Sequence, residues 1–382
     1  GWTRTSVASL MTGLLPPSHG VYDRDDKLSG AARTLAGELR DHGYETYAAV
    51  TNGIVSQAFG FHTGFDRYEY LQERADERIH RYSDEVHEVF VDWLDERDGD
   101  RPFFAYLHTM DPHSPYTPPE PYRSRFAPDG PRTGLRFPRD AKPLAADGDF
   151  TPEQVRDDMV ALYDAEIAHN DETFGRLMDA LRERGLYDEL VVVLLSDHGE
   201  EFLDHGRYEH LKTLYREMIH VPLIVKLPGA DNGGGRTRVT AQHVDLLPTL
   251  LQLAGASVPD WTQGASLLPA LEAPARTWRT RSVRSYMRVD VASVASLVQG
   301  RWHLIREPMT PGSPEARSLE LYDLDDDPAE SLNLAHEIPV RTGLLLADWA
   351  RAEARDVALL DAETAVIDED LRDRLRALGY VR

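Results

Sequence analysis

The chain has 382 residues, 41% hydrophobic and 9% aromatic, enough for a large buried core and too many for wholesale disorder. Its formal net charge of −23 argues against nucleic acid as a partner, and means that any anionic ligand needs a local positive centre. There is no cysteine, which removes disulfides, thiolate metal sites and cysteine nucleophiles.

Only four of the 42 basic residues are lysines, a bias that fits either a salt-adapted or GC-rich source or simple codon usage. No run approaches the roughly 18 apolar residues of a membrane span, so a soluble chain is expected, with the cytoplasm favoured. Gly1-Trp2-Thr3-Arg4 is neither a start nor a signal peptide, and the expectation is a sequence that begins inside a domain.

Thr3 to Gly13 reads as a loop entering a short helix, with Ser6 or Ser9 as its cap. Ala31 to His42 is patterned as an amphipathic helix and Glu45 to Thr51 as a strand after the Gly43 turn. Ala75 to Glu96 predicts a long charged helix, and Pro102 to His108 a strand buried on both faces. Residues 109–150, rich in Pro, Asp and Gly, predict a long irregular segment. Helix returns at Pro152 to Arg184, and Leu190 to Leu195 is the clearest central strand. Val221 to Lys226 and Asp245 to Ala254 follow as strand and helix. Alternating elements imply a mostly parallel sheet covered on both faces. Four short strands near 282–287, 292–298, 301–306 and 319–323 then suggest a small antiparallel sheet, with a helix over 340–354 and an acidic tail.

Three polar constellations follow apolar segments. Ser196-Asp197-His198-Gly199-Glu200 ends the central strand, where α/β sheets place their ligands, and Asp197 with His198 offers oxygen and nitrogen to one divalent cation. A turn in which Asp197 caps the next helix is the other reading. His205, His210 and Lys212 lie close behind. Leu107-His108-Thr109-Met110-Asp111-Pro112-His113 also leaves a strand, and its histidines and aspartate suit metal binding, proton transfer or anion binding, or else an incidental surface loop. Trp2-Thr3-Arg4-Thr5-Ser6 places hydroxyls at a helix start, where dipole and metal both favour an alkoxide; on composition alone it is a generic Ser/Thr-rich turn.

The ordered run of Thr3 to Gly13 with His19-Gly20-Val21, then Met110-Asp111-Pro112-His113-Ser114-Pro115-Tyr116, then Ser196 to Glu200, then Lys212 to Val225 resembles the sulfatase family of the alkaline phosphatase superfamily. The likeness continues through Asp245 to Thr249 and Leu321 to Leu324 to Leu375-Arg376-Ala377-Leu378-Gly379-Tyr380. The resemblance implies an α/β, alkaline-phosphatase-like sandwich with a mostly parallel central sheet between helices, plus a small C-terminal antiparallel sheet with a helix. It places Thr3 at the nucleophile position and Asp197 and His198 among the ligands of one divalent metal, Mn, Ca, Mg or Zn. Lys212 matches a lysine that contacts the transferred group, His113 a histidine near the leaving group, and His210 is a further catalytic candidate. It also implies a first strand ahead of Thr3 that carries acidic metal ligands and is missing here.

Sulfatases proper carry cysteine or serine, oxidised to formylglycine, within Cys-x-Pro-x-Arg. Here Thr3-Arg4-Thr5-Ser6-Val7 stands in that place, and threonine cannot become formylglycine. Gly43-Tyr44-Glu45-Thr46 is followed by Val50-Thr51-Asn52-Gly53 rather than by the family's Gly-Lys-Trp-His. The expectation is therefore hydrolysis or transfer of a phosphate or phosphonate ester through Thr3. The alternatives are sulfate ester hydrolysis and a non-catalytic relative that binds anionic glycans or lipids. The partner expected is a small anionic ester, of a sugar or a lipid head group. The expected division is a catalytic domain over residues 1–275 and an α+β subdomain over 276–382.

Overall fold

The computed structural model describes residues 2–71, 82–97, 99–130, 150–210, 212–229, 233–274, 276, 280–289, 292–307, 318–377 and 380. Its centre is a parallel three-stranded sheet of β1 (Glu45–Val50), β2 (Arg67–Tyr70) and β3 (Phe103–His108), ordered β2-β1-β3. Register pairs Glu45 with Phe103 and Val50 with His108, so both strands finish at one end. Along β1 the side chains alternate, as a pleated strand requires: Tyr47 and Ala49 enter one apolar cluster, Ala48 and Val50 another.

Helices cover both faces, which makes the fold α/β. On one side α3 (Ser83–Glu96) and α4 (Pro152–Glu183) bring Phe90, Trp93, Leu177 and Leu181 against Tyr47, whose ring stacks on Trp93 at 4.4 Å. The long α4 starts where Thr151 and Gln154 form a capping box and Pro152 occupies the first turn. The other side holds α1 (Thr3–Thr12), α2 (Leu35–Asp41) and α5 (Leu246–Leu253).

Several boundaries differ from the sequence reading. All of α1 is helical and buried from Thr3 onward, so Ser6 and Ser9 lie inside it and cap nothing. Helix α2 begins at Leu35 because Thr34 Oγ1 accepts from Gly37 N at 3.1 Å and ends the preceding turn. The expected start of α3 at Ala75 falls outside the described residues, as does 131–149 of the long irregular segment. The tail carries a further helix, α7 (Glu369–Ala377), after α6 (Pro339–Glu353).

Strand β4 (Val192–Leu195) pairs antiparallel with β5 (Leu223–Lys226) and, among the described residues, with nothing else. Among the described residues, strand β3 likewise pairs only with β1. Both strands instead line one cavity of about 1130 Å³, together with residues of α1. This is why β3, expected to be buried on both faces, and β4, expected to be a central strand, are half-buried along their length.

The C-terminal sheet is an antiparallel meander of β6 (Ser282–Val289), β7 (Ala292–Gln299), β8 (Trp302–Arg306) and β9 (Leu319–Asp323). One face packs Leu297, Leu304 and Leu321 on Leu345 and Trp349 of α6. The other sends Met287, Val294, Ile305 and Tyr322 into the cluster that holds Trp2 and Val7. Among the described residues no helix is long and apolar enough to cross a membrane.

Candidate active site

The site is built at the carboxyl ends of β1, β3 and β4, which deliver Asn52, His108 and Asp197-His198 toward the first turn of α1. Thr3 is the first residue of that helix and is buried; Trp2 before it is extended and offers no side-chain cap. The helix end therefore has unsatisfied N–H groups and a partial positive charge beside the Thr3 hydroxyl.

Thr3 Oγ1 lies 3.1 Å from His198 Nε2. The other ring nitrogen, His198 Nδ1, is 2.8 Å from the Gly199 carbonyl, which can only accept, so Nδ1 carries the proton and Nε2 is bare. Thr3 accordingly donates to His198. Burial holds His198 below the usual histidine range despite neighbouring Asp197. Asp197 runs the other way: burial alone pushes its carboxyl up, yet the surrounding imidazoles, His198 first, hold it well below the carboxylate range.

Asp197 Oδ2 is buried without a hydrogen-bond partner and sits 3.6 Å from His198 Nε2. An ionised, partnerless carboxylate oxygen beside a bare imidazole nitrogen is a donor set that fits one divalent cation.

His113 and His210 form the opposite wall, with ring centroids 5.1 Å apart, and His210 lies 4.3 Å from His198. His210 Nδ1 faces Glu200 Oε1 at 3.2 Å, and Glu200 also accepts from Tyr116. Burial works against a charged His210, but Glu200 outweighs it and raises the imidazole. His113 lacks such a carboxylate contact, and burial lowers it to about 3, helped by the nearby His210.

Sequence reasoning placed Thr3, Asp197, His198, His113 and His210, and the structure brings all five together. Lys212 is exposed, and among the described residues no contact joins it to these five; His210 and Thr213 on either side of it turn inward to Glu200 and Glu201. Asp111 is turned aside, accepting from Ser83 N at 2.8 Å. His205 sits in a separate cluster with Glu201 and Glu217, its Nδ1 2.6 Å from Glu217, where it joins the loop to Glu330 near the C-terminal sheet.

Four residues were not singled out. Glu200 stood inside a recognised motif, and Asn52 was visible only as a departure from one. His243 donates from Nε2 to the Ser196 carbonyl. Tyr380 reaches His113 across 267 positions, its hydroxyl 2.7 Å from Nε2. No local spacing could have revealed that pair.

A hydroxyl at a buried helix start thus faces a carboxylate–imidazole pair at the strand ends, on a fold of the alkaline-phosphatase-like α/β class. The chain belongs to the sulfatase family, whose pattern matches residues 1–256; residues 204–342 also match the family described as N-sulphoglucosamine sulphohydrolase, C-terminal. Arylsulfatase K of Xenopus laevis is 29% identical over 199 residues, which are 50% of this chain and 36% of that protein. The chain thus spans about a third of the first relatives it matches, the next two being covered over 31% and 35%. Among solved structures, one in complex with its substrate D-glucosamine-2-N,6-O-disulfate superposes with a TM-score of 0.76 at 20% identity, covering 93% of this chain and 88% of that one. The phosphonate monoester hydrolase of Agrobacterium radiobacter gives 0.73 at 23% identity, covering 93% and 87%.

Proposed function

We propose that the chain hydrolyses a phosphate or phosphonate ester, with Thr3 as the attacking group. The observation that carries this reading is the Thr3 hydroxyl, buried at the start of α1 and donating to a bare imidazole nitrogen beside ionised Asp197. Loss of its proton leaves an alkoxide that the helix N-terminus stabilises. The Thr3 oxygen then bonds to phosphorus while the bond to the leaving oxygen breaks. His210, kept protonated by Glu200, donates its proton to that oxygen, and water releases the phosphate from threonine.

Asp197 and His198 are the residues that would hold a divalent cation; the one lone pair of His198 Nε2 would then be committed to that cation in place of the Thr3 hydroxyl, and the cation would supply charge neutralisation for the transferred group. The rest is the work of the chain: Glu200 aims His210. With the chain's overall negative charge and the Asp197 and Glu200 carboxylates in the site, an anionic ester would depend on that cation and on His210 to settle here.

A second reading, sulfate ester hydrolysis, is favoured by the arylsulfatase relatives and by the sulfated sugar bound in one structural neighbour. Initial rates on matched aryl phosphodiester, phosphomonoester and sulfate substrates with Mn²⁺ separate the two. Preference for a phosphorus ester, reduced by roughly 10⁴-fold or more in Thr3→Ala, supports the threonine mechanism. Preference for the sulfate reverses the assignment.

A further inference from the structure

Glu201, His205 and Glu217 form a polar cluster that the reaction above does not use. One carboxylate oxygen of each glutamate and one ring nitrogen of His205 all lie within 4.8 Å of one another. Glu201 is fully buried, and its Oε2 accepts from the Thr213 hydroxyl at 2.8 Å, but its Oε1 has no hydrogen-bond partner. Among the described residues, no lysine or arginine forms an ion pair with either glutamate. A buried carboxylate oxygen in that state is costly unless something beyond the chain meets it.

The His205 ring is held as a metal ligand is held. Its Nε2 lies 3.3 Å from the Glu330 carbonyl oxygen, which can only accept, so Nε2 carries a proton. Nδ1 faces the other way, 2.6 Å from Glu217 Oε1. The ring stacks on Tyr215, with centroids 3.6 Å apart and planes 11° from parallel, which fixes its plane. A proton on Nδ1 would answer Glu217 alone, leaving two carboxylates against one imidazolium and Glu201 Oε1 still bare. A divalent cation on Nδ1 meets both carboxylates and balances their charge. The His205 and Glu217 side chains keep 14% and 22% of their surface exposed, so an ion can enter from solvent.

We propose that Glu201, His205 and Glu217 form a second cation site, separate from Asp197 and His198, for a divalent ion of the zinc class. One imidazole nitrogen with two carboxylates and a water suits tetrahedral Zn²⁺, whereas Ca²⁺ takes roughly six to eight oxygens. Thr213 on Glu201 and the Glu330 carbonyl on His205 are the outer contacts that orient the ligands. The site is a clamp, not a second reaction centre. It ties a hairpin, in which Glu201 pairs with Glu209 and Phe202 with Tyr208, to Glu217 in the short helix Arg216–Ile219. Glu330, beyond β9, accepts from Arg216 N at 2.6 Å and pairs with His303 of β8, so the C-terminal sheet is joined to the same point. His210 is the next residue after the hairpin, and the ion would steady its approach to Glu200.

The test is Zn²⁺ titration of the metal-stripped full chain carrying Asp197→Asn, which takes the first site out of play. Calorimetry and elemental analysis should still find one ion per chain. Adding Glu217→Gln should weaken its binding by roughly 100-fold or more, beyond the cost of losing an outer contact. Nitrogen-15 NMR reads the ligand with no change to the cluster: His205 Nδ1 should move to the metal-bound range on addition of Zn²⁺ while Nε2 keeps its proton. An Asp197→Asn chain that holds no ion, or a His205 Nδ1 that Zn²⁺ leaves unchanged, overturns the proposal. So does an ion bound equally well after Glu217→Gln. None of these readouts depends on turnover, so failure of the hydrolase reading would leave the second site standing.

Discussion

His243 Nε2 donates to the carbonyl oxygen of Ser196 at 2.9 Å, so a residue 47 positions downstream holds the turn that presents Asp197. His243 is held by its own neighbour. Asp245, fully buried, accepts from Gln242 N at 2.7 Å and Ala265 N at 2.8 Å and pairs with Arg281. Asp245→Ala would strand Arg281 and leave two amides unpaired. Breaking such a buried pair costs about 3–5 kcal/mol, which urea unfolding should report. A loss below about 1 kcal/mol would show that Asp245 is not the anchor described.

Gly199 has a different constraint. A Cβ there would lie 1.8 Å from the Glu217 carbonyl oxygen, while Gly199 N already donates to Met218 O at 3.0 Å. The strand end and the segment 217–218 are therefore in backbone contact, and Gly199→Ala must force them apart next to His198. The variant should lose roughly 3 kcal/mol or more, or fail to fold, in a chemical melt. Wild-type stability would contradict the geometry.

Acid should unfold the protein through buried neutral histidines. His19 accepts from Val21 N through Nδ1 at 3.0 Å and faces Ser9 through Nε2 at 3.0 Å; burial takes it from 6.5 down to about 3. His87 is likewise drawn down to about 4, chiefly by burial. Because these bases are weaker when folded, the unfolded chain binds more protons between the two values. Stability is thus intact above pH 6.5 and falls as the pH drops toward 3, by up to about 1.4 kcal/mol per pH unit for each such group. Urea midpoints measured at intervals from pH 7 to 4 should decline steadily, and His19→Asn should flatten part of the slope. A constant midpoint across that range rules the account out.

Metal occupancy offers a separate check on the carboxylate–imidazole pair. Asp197→Asn removes the charge but keeps the shape. Dialysis against Mn²⁺ or Zn²⁺ with elemental analysis should give about one bound ion fewer per chain in the variant than in the wild type. Equal occupancy in both would remove Asp197 from the ligand set.

The local pieces of the site were legible because each sits in a short motif at the start of a helix or the end of an apolar strand: Thr3 at a helix start, Asp197 and His198 after Leu195, His113 after the β3 strand. Which way Lys212 faces was not legible, because a loop between two inward-turned neighbours has no periodicity that tells which side chain turns in. The antiparallel setting of β4 on β5 was hidden too, since an all-apolar run reads the same in either direction. Tyr380 and His243 act through contacts hundreds or tens of residues away, which only tertiary packing creates. The start of α2 was readable in principle, as Thr34 followed by Leu35 is an ordinary cap, but the apolar pattern extended past it.

The gap flanked by β3 and β4 has a practical corollary for anyone measuring these quantities. Phe103, Phe104, Leu107, Val192 and Leu194 all line a space of about 1130 Å³, large enough to hold a fluorescent hydrophobic probe while the fold is intact. Thermal scans that rely on such a dye should start bright and show a muted or inverted transition, whereas circular dichroism on the same sample reports a normal cooperative melt. Wet-and-dry readings of one unfolding event would then disagree in baseline, and the optical method without a probe is the one to use for the variants above.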